Sequence, residues 1–159
     1  AAIPVDSVLV STTRSRRLME VGFEARREAG GAIFIDRTEV EDRSATRVTD
    51  LLRGRAGVRV ISFGSEEDIR VGASGRNLSG SDCQPAVWID GSRVRSAGTP
   101  DVDQARTGSR MRVDPALTEL VSPEDIEGLE VYTGPAGLPV QFRDRNVDCG
   151  VVLIWTRTT

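Results

Sequence analysis

Cys83 and Cys149 are the two cysteines of the chain, and little chemistry is open to them. Two thiols alone cannot make a four-ligand zinc site, and these lie too far apart for a C-x-x-C redox pair. A structural disulfide in an oxidising compartment is their natural use, and two unrelated buried thiols are the alternative. The absence of histidine removes the most frequent general base and the commonest metal ligand together. Asp144-x-Asn146-x-Asp148 has the opening rhythm of a calcium loop. The positions that must then be Gly and a bidentate Glu hold Cys149 and Trp155, so a solvated polar loop is the better account.

Nucleophilic catalysis fares no better. Gly72-Ala73-Ser74-Gly75 has the wrong spacing for a nucleophile elbow, and no histidine exists to complete a triad. There is no P-loop and no dinucleotide glycine fingerprint. The acid clusters Glu66-Glu67-Asp68 and Asp101-x-Asp103 lack an apolar pocket to raise one pKa, and read as surface. The expectation is a protein without catalysis, cofactor or metal.

All 21 basic residues are arginine, against 24 acidic ones, for a formal charge of -3. The arginines alternate with acids, as in Arg26-Arg27-Glu28 and Arg143-Asp144-Arg145, so no basic stripe forms and nucleic acid is not an expected partner. The longest apolar stretch falls far short of the ~20 residues that span a bilayer.

The elements that would position any site are short. Residues 1–13 read as an extended segment; no signal sequence precedes them, so the chain reads as mature or trimmed. Residues 14–29 fit one or two helical turns ended by Gly30-Gly31, followed by a strand at 32–37. A helix is expected next, N-capped by Ser44 or Thr46, with Val48, Leu51 and Leu52 on one face and Gly54 as its stop. Strands are expected at Val58–Phe63, Ile69–Val71 and Ala86–Ile89, and a long loop at 95–112. Ser122 and Pro123 start a helical turn that Gly128 ends, and Leu129–Tyr132 is a strand. Val151–Trp155 is apolar enough for a strand buried on both faces, which needs neighbours on both sides. Strands interleaved with short helices argue for one α+β domain with a small mixed sheet.

Four segments, in order, resemble the plug domain of TonB-dependent outer-membrane receptors. They are Thr49 to Val60 (TDLLRGRAGVRV), Ala86 to Val94 (AVWIDGSRV), Ser122 to Gly137 (SPEDIEGLEVYTGPAG) and Cys149 to Arg157 (CGVVLIWTR). Asp6 to Thr12 (DSVLVST) resembles the TonB box, through which such receptors bind the energy-transducing protein TonB. The chain departs from the family at Val71-Gly72, where Arg-Gly is usual, at 138–148, and at Cys149, where the family has the first Gly of a pair.

The resemblance implies an extended segment at 1–17 and a plug-like domain at 18–159, in the periplasm or outer membrane of a Gram-negative-type bacterium. It implies a non-catalytic gating module that occludes a barrel following in cis, with Thr159 where a plug finishes. The alternative is a free-standing, barrel-less interaction or assembly subunit, acting on another envelope protein or by self-assembly. Partner contacts fall on Asp6, Ser7, Val8, Leu9 and Val10. Ligand contacts fall on the loops after Gly72, Gly91 and Gly134, at Arg76, Asn77, Arg93, Arg95, Gln141 and Phe142. If the strands at Ala86–Ile89 and Val151–Trp155 lie together, Cys83 and Cys149 meet at one end of the sheet and can bond.

Overall fold

The computed structural model describes residues 15–72, 83–99, 102–103, 111–112 and 114–158. Two short helices open it, α1 (Arg16–Glu20) and α2 (Phe23–Ala29), then β1 (Ile33–Asp36) and α3 (Arg37–Arg43). A 3₁₀ turn at Val48–Leu51 leads into the hairpin of β2 (Val58–Phe63) and β3 (Glu66–Val71). A second hairpin follows, β4 (Ala86–Ile89) and β5 (Ser92–Arg95), then a small pair, β6 (Val102–Asp103) and β7 (Met111–Arg112). After α4 (Leu117–Leu120) and a 3₁₀ turn at Pro123–Asp125 come β8 (Ile126–Tyr132), two more 3₁₀ turns, and β9 (Val151–Thr156).

The main sheet is mixed, in the order β1-β8-β9-β4-β5. The apolar β9 therefore lies at its centre, antiparallel to β8 with Leu129 opposite Ile154, and parallel to β4 with Ala86 opposite Val151. Side chains alternate across a strand, and both faces are covered, so every one of its positions up to Trp155 is buried. Val152 and Ile154 join one core with Val40, Leu51, Leu52, Ile69, Val71 and Leu117. Val151, Leu153 and Trp155 join the other, which α1 and α2 close with Leu18 and Phe23.

The second core holds every aromatic residue except Phe63. Its rings meet edge to face, Phe23 on Phe34 at 5.5 Å, Phe34 on Tyr132 at 6.2 Å and Trp88 on Phe142 at 5.1 Å.

Two glycines are spacers. A Cβ on Gly128 would stand 2.6 Å from Leu18 Cδ2, so the missing side chain is what lets α1 and α2 reach the sheet. Gly150 has φ +97°, and a Cβ there would lie 2.1 Å from Val71 Cγ2 and 2.9 Å from the Tyr132 carbonyl. Only glycine fits both the conformation and the space.

The structure corrects several expected boundaries. Gly128 does not end a helical turn: β8 starts at Ile126 and runs through it with an irregular register. A helix not expected from the sequence, α3, occupies Arg37–Arg43, N-capped by Asp36, whose side chain accepts from Glu39 N at 3.0 Å. Ser44 is the left-handed C-cap of that helix, not the N-cap of the next. The next element is only a 3₁₀ turn, held by Asp50 accepting from the N–H groups of Thr46 and Arg47. Residues 92–95 form β5, the stretch 95–112 contains β6 and β7, and α4 appears at Leu117–Leu120. Arg16 and Arg17 belong to α1.

Candidate functional site

The two ends of the sheet carry different chemistry. At one end β4 and β9 begin side by side, and Cys83 and Cys149 form a disulfide there with Cα atoms 5.6 Å apart. This end also receives the last residues of β3 and β8, since Val71 and the Tyr132 carbonyl both crowd Gly150.

Here lies a cleft of about 320 Å³ lined by Arg93, Ser96, Ala97, Asp144, Arg145 and Asn146. Arg93, on the outermost strand, pairs with Asp144. Asn146 adopts the left-handed conformation at φ 60° and donates Nδ2–H to the Ala97 carbonyl at 3.3 Å. These contacts hold the stretch after β8 against the end of β5. Gln141 is exposed beside Val140, which is 78% accessible.

The other expected ligand residues are placed differently. Arg95 is buried: its Nη1–H donates to Asp68 Oδ2 at 2.7 Å and to the Pro115 carbonyl at 3.1 Å, and its Nη2–H donates to the Pro85 carbonyl at 2.9 Å. Asp68 also accepts from Arg70 at 3.2 Å, so this buried cluster fastens the β2–β3 hairpin to the main sheet. Phe142 is buried between Trp88 and Trp155. Both side chains face the domain's own interior rather than a surface that a ligand could reach. Gly91 sits at the opposite end of the sheet, in the tight turn between β4 and β5, so the chain beyond it returns as a strand and not as a loop. Arg76, Asn77 and Asp6, Ser7, Val8, Leu9 and Val10 lie outside the described residues. Sequence reasoning named Arg93 but missed Asp144, Arg145 and Asn146 as its cleft. Their signal was the polar run 144–148, visible yet read as solvated.

At the far end one carboxylate gathers three elements. Asp90 accepts from Thr156 N at 2.8 Å, from Thr156 Oγ1, and from Arg17 Nη2 at 2.6 Å, while Arg17 Nε–H donates to the Thr156 carbonyl at 2.7 Å. Burial pushes the Asp90 pKa up, but the hydrogen bonds from Thr156 and the Arg17 guanidinium outweigh it and hold the group below its ordinary value. With a depressed folded-state pKa, this contribution to stability is complete above the ordinary value of 3.8 and is lost as pH falls through the folded value. Asp90→Asn is therefore expected to flatten the acid-side loss of stability below about pH 4. Urea unfolding followed from about pH 6 down to 2 checks this, and an unchanged acid limb would contradict it.

Between the ends, Glu130 is fully buried at the centre of the sheet. It accepts two bonds from Arg26, at 2.8 and 2.7 Å, one from Tyr132 Oη at 2.7 Å and one from Trp155 Nε1 at 2.7 Å. Four donors satisfy both of its oxygens, which is what a buried carboxylate requires.

A family model for the TonB-dependent receptor plug domain matches residues 25–141. The chain belongs to the TonB-dependent receptor plug domain family. Among solved structures this plug-family chain is similar to the RagAB peptide importer in its closed-closed state, at 16% identity and a TM-score of 0.51. It is similar also to the siderophore receptor PirA from Acinetobacter baumannii, at 21% and 0.52, and to the ferric enterobactin receptor PfeA in complex with BCV-L6, at 22% and 0.50. Each alignment covers 80% of this chain, but only 12%, 17% and 17% of the respective solved chains. Likeness at these identities is one of fold. No curated protein matches the sequence.

Within the plug fold the four motif segments become the 3₁₀ turn with β2, the β4–β5 hairpin, β8 and β9. Three of the four supply neighbouring strands of one sheet. Plug domains of TonB-dependent receptors are transport components, and no catalytic family is indicated. Among the described residues no helix is long and apolar enough to cross a membrane.

Proposed function

We propose that this chain is the gating plug of a TonB-dependent outer-membrane receptor. The family match over residues 25–141 carries the reading. On it, the disulfide-bearing end of the sheet faces the ligand, with Arg93 and Gln141 among the contacts together with Arg76 and Asn77, and Asp144, Arg145 and Asn146 completing the cleft around Arg93. The body between the two ends is rigid, because β9 is locked on both sides and closed by the disulfide. Such a body suits a module that occludes a pore and moves as a unit. The native polypeptide is expected to be several times the 17.2 kDa of these residues and to continue into a barrel. Its intact mass, measured from the native envelope, tests this; a native chain finishing near Thr159 would overturn the receptor reading in favour of a barrel-less assembly subunit.

The N-terminal segment is the proposed site for a TonB-like partner. Asp6, Ser7, Val8, Leu9 and Val10 would add as a strand to that partner's sheet edge, where main-chain hydrogen bonds give affinity with little demand on sequence. Leu9→Pro removes one donor and fixes φ, so binding to an isolated TonB C-terminal domain is expected to fall more than about tenfold. A proline variant that binds equally well excludes strand addition at this segment.

A further inference from the structure

An irregular step in the β4–β5 hairpin sends two arginines to opposite faces of the sheet. Residues two apart on a strand ordinarily share a face. Here Val87 stands opposite Arg95 and Trp88 opposite Arg93, so Val94 is an extra, unpaired residue, a β-bulge. Arg95 therefore follows Val87 towards Asp68 and the β2–β3 hairpin, while Arg93 follows Trp88 to the other face. Over that face lies a flap, residues 138–148. Buried Leu138 fixes one end and the disulfide at Cys149 the other, and between them only Phe142 is buried, packed on Trp88. The Arg93–Asp144 pair latches the flap. Its side chains are 42% and 38% accessible, so solvent weakens the pair and another carboxylate can replace Asp144.

The Trp88 indole Nε1–H is buried and has no acceptor among the described residues, which is costly and rare for such a donor. The cleft beside it holds two guanidinium groups, Arg93 and Arg145, and one carboxylate, Asp144. Arg145 forms no ion pair among the described residues, and Arg143 is turned back onto the Leu138 carbonyl at 3.1 Å. We propose that Arg93 and Trp88 together form a binding point for a carboxylate, covered by the flap until the ligand's acid takes the place of Asp144. Asp144 itself shows which class of group Arg93 holds. A guanidinium grips a carboxylate through parallel N–H groups and the indole N–H can only donate, so both need the same acceptor. The surplus positive charge of the cleft favours an acid over an uncharged ligand. Once Asp144 lets go, the flap can lift between its two fixed ends and uncover the Trp88 N–H. This inference rests on the proposed ligand-facing role of this end of the sheet.

Acetate is the probe and acetamide its uncharged counterpart, each titrated into isotope-labelled protein at constant ionic strength. The two tryptophans give two indole N–H signals, which Trp88→Phe assigns. Acetate is expected to shift the Trp88 signal and to leave that of Trp155, which is bonded to Glu130, in place. Acetamide is expected to shift neither, and Arg93→Gln should abolish the response to acetate. Asp144→Asn removes the internal competitor, so acetate should bind about fivefold tighter, and the Trp88 N–H should exchange faster with solvent even without ligand. A gain in affinity separates competition from structural support, whose loss would weaken binding or leave it unchanged. Equal responses to the two probes, equal shifts of both indoles, or an Asp144→Asn protein that binds acetate no better would overturn the proposal. A native chain without a barrel would leave these signals as expected, so failure of the receptor reading shows in the intact mass and failure of this site shows here.

Discussion

Replacement of Cys83 and Cys149 by alanine is expected to lower the unfolding free energy by about 4 kcal/mol, the chain-entropy value for a loop of this length. The cross-link spans a sequence separation of 66 residues, and opening it frees the unfolded ensemble far more than it disturbs the native one. Both sulfurs are buried, and the Cα separation of 5.6 Å lies within the range that a disulfide bridges, so the bond needs no distortion of the sheet. Guanidinium unfolding of the double variant is the measurement. The denaturant dependence should also steepen, because a chain without the cross-link exposes more surface when it unfolds. A loss below about 1 kcal/mol would mean that the sheet alone fixes the ends of β4 and β9, and that the entropic account fails here.

The other large effect is expected at the centre of the sheet. Arg26→Ala leaves the Glu130 carboxylate buried with only Tyr132 and Trp155 as donors, and removing one partner of a buried pair costs about 3–5 kcal/mol. Arg17→Ala breaks a comparable pair at the surface, where the groups are 26% and 36% accessible, and should cost under about 1 kcal/mol. The contrast is the test, because both substitutions remove one arginine from the same helical hairpin. Similar losses for the two would show that the buried pair with Glu130 contributes no more than a surface pair does. Combining Arg26→Ala with Glu130→Ala should give less than the sum of the single losses, as expected for partners in one network.

Much of the architecture was legible in local sequence. Val151–Trp155 and Ala86–Ile89 are apolar runs too continuous for a half-exposed sheet, Leu129–Tyr132 is apolar but for Glu130, and in the structure the first of these strands pairs with each of the other two. The pairing of those strands is also what brings Cys83 and Cys149 within bonding distance.

What was missed depended on distant partners. Arg95 looks like a surface residue in a polar stretch, but is buried because Asp68 and the carbonyls of Pro85 and Pro115 accept from it. Glu130 breaks an apolar run, and nothing nearby in the chain announces Arg26 as its counterion. Gly128 reads as a stop signal when the only local question is conformation, yet its role is to make room for Leu18, which is far away in sequence. In α3 only Val40 is buried, so no apolar stripe marks it. The cleft around Arg93 was half legible: the polar residues were visible, but not the ion pair to Asp144 that folds them against β5.

The position of β9 also dictates an order of assembly. It separates the β1–β8 pair from the β4–β5 hairpin, and the other four strands of this sheet precede it in the chain. Until residues 151–156 have been synthesised and released, β8 and β4 each present an empty edge, and the two halves have nothing to join them. Closure is then an end-game of long-range contacts, with β4 drawn from far upstream, and such topologies fold slowly. Until β9 pairs, the sheet keeps these two open edges, which are vulnerable to edge-to-edge aggregation in that interval.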